Sequence, residues 1–370
     1  MTGGEAVAAA LAAHGVDTVF GIPGAHNLSL YDALIEAPIR HVLARHEQGA
    51  AFMADGYARA CGRPGVCVVT SGPAALNTIT PLGTAYSDSS PVLCIASQIP
   101  AAGIGKEKGY LHECSDQLAC FRPVTGWCGR ADSVAAIPGL LGEAFASMSR
   151  GRPRPAALEI PCDVLDASGE AEARGPVRVE RPQPGSAEIE AAAAALRGAR
   201  SPVIWAGGGV ISSGAGAELR ELAETLQAPV FTTVLGKGAL PEDHPLAAGT
   251  AILHPLAQEF LAQRDAMLAV GTRFTEEETL GWRLRLPEPL IHLDVDAEEI
   301  GRNYPASAAV VGDARESLRA LAGRLAGLHP CSRTAEVAAL REGIVADCRE
   351  LAPEGVELVD ALQEGLPRGA

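Results

Sequence analysis

Aromatic residues make up only 4% of the 370-residue chain, so no aromatic-rich β-sandwich core is built from it. No apolar run reaches the roughly 18–20 residues a membrane-spanning helix needs, and the opening MTGGEAVAAALAAHG has no basic segment of the secretory kind. That opening reads as an amphipathic helix, and a cytoplasmic location is expected. Basic residues are in deficit, 30 against 45 acidic ones, and a formal charge of −15 disfavours nucleic acid or an anionic membrane as partner. The nine cysteines, at 61, 67, 94, 114, 120, 128, 162, 331 and 348, contain no C-x-x-C pair. Neither a zinc site nor a redox dithiol is suggested, and reduced thiols are expected.

What the chain does have is Ala, Gly, Leu and Val in βαβ order. Over residues 1–165 helices are expected at Gly4–His14, Leu28–Glu36, Glu47–Ala60, Ala74–Ala85 and Ala135–Met148. Strands are expected at Thr18–Phe20, His41–Ala44, Gly65–Thr70, Pro91–Ala96 and Ala156–Ile160. Residues 166–186 are rich in Pro, Gly and charge and read as a linker. A second unit, 187–330, repeats the pattern with a helix at Ile189–Leu196, then strand Pro202–Trp205, helix Ala217–Leu226 and strands Pro229–Thr233, Ala266–Val270 and Leu290–Asp294. Residues 331–370 read as a helical tail. The fold class is therefore α/β, with two doubly wound parallel-sheet domains whose ligand-binding rims follow the strand C-termini.

Glu47, in His46-Glu47-Gln48-Gly49-Ala50, sits after a strand in the first turn of a helix. A carboxylate there complements the helix dipole, worth about 0.3–1 kcal/mol, and it also stands on the rim where a catalytic acid would be wanted. Gly21-Ile22-Pro23-Gly24 reads as a tight β-to-α turn, and Thr70 and Asn77 read equally as helix-capping and rim residues. Gly207-Gly208-Gly209 after a strand suggests a dinucleotide loop, but it continues Val210-Ile211-Ser212 and leaves the six-residue fingerprint incomplete. Glycine for close helix–strand packing explains it equally. A two-domain NAD-dependent enzyme would need that fingerprint and an acidic ribose partner, and neither is clear.

The segments VFGIPGAHNLSLYDAL, RHEQGAAFMADGYARACGRPGVCVVTSGPAALNTITPLGTAYSDSSPVLCIASQIP and RPRPAALEIPCDV resemble the pyrimidine-binding domain of thiamine-diphosphate enzymes of the acetolactate synthase and 2-oxo acid decarboxylase type. PVIWAGGGV, VLGKGALPEDHPLAAG, VGTRF and HLDVDAEEIGRNYPASAAVVGDA are similar to that family's central domain. The resemblance implies that Glu47 is the cofactor-activating glutamate. Its hydrogen bond to N1′ of the aminopyrimidine would favour the imino tautomer, whose 4′-nitrogen can take the C2 proton of the thiazolium. It further implies cofactor contacts from Pro23, Gly24, Thr70, Gly72, Asn77 and Gln98, and substrate contacts from His26 and His112. Where the synthases would show Phe-Gln-Glu this chain has Leu111-His112-Glu113, which leaves a 2-oxo acid other than pyruvate open. FAD binding at Gly207, Gly208, Gly209 and Arg273 is implied for the synthases, whereas many decarboxylases leave this domain empty.

The family's Gly-Asp-Gly metal signature, followed by Asn, has no match; Gly312-Asp313-Ala314 lies in the central-domain ending. No metal ligand is expected in this chain, and the diphosphate with its Mg²⁺ is expected on a separate diphosphate-binding subunit. Assembly with that partner, self-association to at least a dimer and a small 2-oxo acid substrate complete the expectation. A non-catalytic binding or regulatory subunit and a fragment of a longer enzyme remain as alternatives.

Overall fold

The computed structural model describes residues 1–177 and 179–367, which form two compact units, Met1–Glu180 and Arg181–Ala370. In the first, strands β1 (Thr18–Gly21), β2 (Arg40–Leu43), β3 (Gly65–Val69), β4 (Val92–Gln98), β5 (Trp127–Arg130) and β6 (Ala156–Pro161) make one parallel sheet in the order β2-β1-β3-β4-β6-β5. β3, β4 and β6 are buried along their whole length, as expected for strands covered by helices on both faces. One face is closed by helices Gly3–Ala13 and Ile137–Ser149, through Val7, Leu11, Leu141 and Phe145. The other is closed by helices Glu47–Cys61 and Ile79–Asp88, through Ala50, Ala54, Leu82 and Ala85. Alanine dominates this second face, so the Glu47 helix lies close to the sheet.

The second sheet runs β12-β11-β10-β7-β8-β9, again parallel. Its strands are β7 (Pro202–Ala206), β8 (Val230–Thr232), β9 (Ala247–Gly249), β10 (Ala266–Val270), β11 (Leu290–Asp294) and β12 (Ala308–Val311). Read from β9 to β12 this is the 3-2-1-4-5-6 order of dinucleotide-binding folds.

Several expectations are corrected. The helix read over Ala74–Ala85 is two, Pro73–Asn77 and Ile79–Asp88. Pro81 has no N–H for the Asn77 carbonyl, and the Thr78 hydroxyl donates back to Ala75 O at 2.7 Å. Strands β5, β9 and β12 carried no strand signal, because Trp-Cys-Gly-Arg, Ala-Ala-Gly and Ala-Ala-Val-Val on short outer strands lack a β-branched alternation. Both ends of the segment read as linker are fastened. Gly3 N donates to Ala167 O at 3.1 Å, and Asp313 N donates to Pro182 O at 2.8 Å. In the tail, helix Thr334–Leu351 packs Val337, Leu340 and Ile344 into the second unit's core beside Phe260 and Leu261. No helix among the described residues is long and apolar enough to cross a membrane.

Candidate functional site

In the first sheet β1 is flanked by β2 and β3, so the order of connections reverses between β1 and β3. A doubly wound sheet binds ligands outside the strand C-termini at such a point. The loops meeting there are Ile22–Asn27 after β1, Thr70–Gly72 after β3 and the start of the Glu47 helix after β2.

Glu47 opens its helix, with His46 as N-cap accepting from Gln48 N through its side chain. The half-buried carboxylate Oε2 accepts a 2.9 Å hydrogen bond from Asn77 Nδ2. Asn77 ends the short helix that Pro81 and Thr78 force to stop, so the break places its amide against Glu47. The two residues, thirty apart in sequence, are brought together as a pair.

Gly24 lies against Thr70: a Cβ at Gly24 would stand 2.8 Å from both Cβ and Cγ2 of Thr70. Gly24 N is held by Asn27 Oδ1 at 2.7 Å, and Thr70 Oγ1 accepts from Ser97 Oγ at 3.3 Å. Pro23 is exposed at the tip of the turn. Gly72 has φ +58°, and a Cβ there would lie 2.1 Å from the His112 carbonyl oxygen. Both positions therefore require glycine, and together they give the rim a floor of bare backbone.

His26 Nδ1 and the Ser71 hydroxyl share a 2.6 Å hydrogen bond. His26 and His112 meet edge to face with ring centroids 6.0 Å apart. Burial, and then repulsion from His112, holds the His26 imidazole below its ordinary pKa, so its neutral form is favoured. His112 has left-handed backbone, φ +59°, and its buried Nδ1 has no hydrogen-bond partner. A buried, unsatisfied ring nitrogen beside a glycine floor is a feature that a polar ligand would complete. Glu113 faces away from that role: its carboxylate accepts from the backbone N–H groups of Lys108, Gly109 and Tyr110 at 3.2, 2.6 and 3.0 Å, which fixes the loop carrying His112.

Gln98 is not presented on the rim with the others. It is 1% exposed, with Oε1 accepting from Ile99 N at 2.8 Å and Nε2 donating to Glu159 Oε2 at 3.3 Å. Sequence reading missed the residues this side chain joins: Glu159 on β6, Gln117 and Arg130. The signal was present, since a carboxylate inside the apolar run Ala-Ala-Leu-Glu-Ile-Pro has to be paired when the strand is buried.

In the second unit Gly207, Gly208 and Gly209 follow β7 at the corresponding reversal point, beside the Gly271-Thr272-Arg273-Phe274 loop that follows β10. The amides of Gly207 and Gly209 are directed at protein. Gly207 N donates to Val270 O at 2.8 Å and Gly209 N to Gly271 O at 3.1 Å. A Cβ on Gly207 would lie 2.2 Å from Gly271 O. The Arg273 and Phe274 carbonyls accept from Asn303 Nδ2 at 2.9 and 3.2 Å, and Glu276, Glu277 and Glu278 follow at once. Asp313 caps helix Ala314–Leu325 and pairs with Arg181 at 3.1 Å. No group of three or more His, Cys, Asp or Glu among the described residues could hold a metal ion.

Two parallel α/β units define the class, doubly wound in both halves, and the first carries outside its strand C-termini a glycine-floored rim with a carboxylate and two imidazoles. The thiamine pyrophosphate enzyme model for the N-terminal TPP binding domain matches residues 1–120, and the model for the central domain matches residues 189–321. The chain belongs to the thiamine pyrophosphate enzyme family. The probable 2-ketoarginine decarboxylase AruI of Pseudomonas aeruginosa is 44% identical over 379 residues, covering 100% of this chain and 66% of that protein. The probable acetolactate synthase large subunit of Methanocaldococcus jannaschii is 42% identical over 340 residues, covering 89% of this chain and 57% of its own length. The acetolactate synthase of Mycobacterium bovis is 39% identical over 339 residues, with 89% and 54% covered. The chain spans between about half and two thirds of the length of these relatives.

Proposed function

We propose that the rim of the first unit binds the aminopyrimidine of thiamine diphosphate in an enzyme that decarboxylates a 2-oxo acid. The product is then protonated to an aldehyde or joined to an acceptor carbonyl. The observation that carries this reading is Glu47, held at the reversal point by Asn77 next to the Gly24 and Gly72 floor. Bound thiamine diphosphate would supply the carbon nucleophile and the electron sink of decarboxylation. Glu47 would hold a proton at its carboxyl toward the ring nitrogen N1′ and exchange it during activation, a role glutamine cannot take. Gly24, Thr70 and Gly72 would let the ring approach backbone, Pro23 would border it, and Asn77 would orient the Glu47 carboxylate. Gln98 acts from behind the rim rather than as a contact.

The diphosphate and its Mg²⁺ would be held by residues outside this sequence, either elsewhere on the same polypeptide or on a separate subunit, in an assembly with at least two copies of this site. An affinity pull-down from native lysate tells the two apart. A stoichiometric partner carrying Gly-Asp-Gly and a later Asn supports the separate subunit, and its absence removes that reading.

His26 and His112 face the substrate. The run Leu111-His112-Glu113, together with similarity along the whole chain to a protein described as a 2-ketoarginine decarboxylase, puts 2-oxo acids with guanidino or amino side chains first in a substrate screen, ahead of pyruvate. For Gly207, Gly208, Gly209 and Arg273 we favour loop packing over FAD. The Gly207 and Gly209 amides already serve neighbouring carbonyls, and the three carboxylates Glu276, Glu277 and Glu278 follow Arg273 closely in the chain. An absorbance scan of the purified protein free of a flavin band supports packing, and a stoichiometric band overturns it.

A further inference from the structure

Behind the rim lies a buried polar chain that ends on Gly72 of the glycine floor. Glu159, Gln117 and Gln98 come from β6, helix Gln117–Phe121 and β4, and they are 0%, 0% and 1% exposed. Gln117 is at the centre. Its Nε2 donates to Glu159 Oε2 and to Ser97 O, both at 3.1 Å, and its Oε1 accepts from Gly72 N at 2.7 Å. Glu159 Oε2 also accepts from Gln98, while its Oε1 is ion-paired to Arg130, which is partly exposed. Burial pushes the Glu159 carboxyl up against the pull of Arg130.

A carboxylate in the middle of a parallel sheet costs stability unless each lone pair is satisfied, and an apolar residue would fill the same volume more favourably. The chain of hydrogen bonds therefore asks for a reason. Its terminus supplies one: Gly72 has φ +58° and ψ −118°, a conformation open to glycine but one among several it can take, and its single amide hydrogen is fixed by Gln117.

We propose that Gln117 and Glu159 are positioning residues that hold the Gly72 turn in the geometry that receives the pyrimidine ring. Glu159 fixes the amide orientation of Gln117, since a carboxylate accepts only from the NH₂ side. That leaves Oε1 as the sole atom facing Gly72 N. This rests on the reading of the first unit's rim as the thiamine-diphosphate site.

The test uses the full chain and, for the cofactor, the holoenzyme. Hydrogen-exchange mass spectrometry of peptides across 70–77 is compared for wild type, Gln117→Ala, Gln117→Glu, and the reciprocal pair Gln117→Glu with Glu159→Gln. Gln117→Ala should speed exchange at Gly72 on the order of 5- to 10-fold, the worth of one net hydrogen bond. Gln117→Glu, which sets two carboxylates face to face, should do the same. The reciprocal pair should return part of that protection, because the amide introduced at position 159 can then donate to the carboxylate introduced at position 117, while Ser97 O stays without its donor. In the holoenzyme, Gln117→Ala should raise the half-saturating thiamine diphosphate concentration by a similar factor while kcat at saturation changes less than about twofold.

Unchanged exchange at Gly72 in folded Gln117→Ala, or no recovery in the reciprocal pair, overturns the proposal. So does altered exchange with unaltered cofactor saturation. Wild-type holoenzyme that binds no thiamine diphosphate overturns the underlying site reading instead, and the exchange data tell the two failures apart.

Discussion

Replacing Asn77 by Asp would put a second carboxylate oxygen where Nδ2 now stands, 2.9 Å from Glu47 Oε2. The lost hydrogen bond is worth about 1 kcal/mol. Two unit charges about 4 Å apart repel by roughly 1 kcal/mol in water and about 4 kcal/mol at an effective dielectric of about 20. Both groups are half-buried, so the lower part of that range applies, and Asn77→Asp should cost the first unit about 2 kcal/mol at pH 7. A proton taken up by the pair on acidification turns the repulsion into a hydrogen bond, so the cost should shrink at low pH. In a Glu47→Gln background the sign reverses, because the amide introduced at position 47 can donate to the carboxylate introduced at position 77. A double-mutant cycle should therefore give a favourable coupling of about 1 kcal/mol or more between Glu47→Gln and Asn77→Asp. The assay is hydrogen exchange of β3 and β4 peptides against urea concentration, which reads the first unit's opening free energy without requiring both units to unfold together. Additivity within about 0.5 kcal/mol, or a pH-independent cost, would mean that the two side chains do not meet, and the site geometry would be wrong.

Gly72→Ala meets both a left-handed φ and the His112 carbonyl, so it should destabilise the first unit by about 1–3 kcal/mol and displace the 105–116 loop, visible as faster exchange there. His26 should titrate below its ordinary value near 6.5, and His112→Ala should raise that midpoint only in part, since burial is the larger cause. The sign follows: a depressed histidine pKa contributes stability that is complete above about pH 6.5 and lost as the pH falls through the folded-state value. NMR titration of the imidazole checks this, and a midpoint at or above about 6.5 would contradict the buried placement. Phe121→Ala empties a fully buried site against the sheet and should cost about 3–5 kcal/mol by the same exchange measurement.

The βαβ grammar was legible because buried parallel strands such as Gly65–Val69 and Val92–Gln98 read as unbroken apolar runs between alanine-rich helices. Outer strands written in alanine and glycine were not, since nothing in Ala247–Gly249 distinguishes a strand from a loop except its neighbour β8. In the site, the rim positions of Glu47, Gly24 and Gly72 follow from their places after strands. The Asn77–Glu47 bond does not, because it depends on a helix break that Pro81 and Thr78 make jointly. Gln98 shows the opposite failure: the sequence reading ends the strand at Ala96 and the resemblance puts Gln98 on the rim, whereas Gln98 closes β4 and its side chain turns inward to Glu159 on the neighbouring β6. His112 depends on a loop shaped by Glu113 and three backbone amides, a local cluster with no periodic signature.

The most direct test of the central claim is exchange of the C2 proton of thiamine diphosphate, followed by ¹H NMR after acid quench, in holoenzyme carrying wild-type Glu47 or Glu47→Gln. Loss of proton exchange by roughly 10²–10⁴-fold, with cofactor still bound and the assembly intact, is the predicted result. Exchange at the wild-type rate in Glu47→Gln would contradict the account, and Glu47 would then be a carboxylate that does no more than complement its helix dipole.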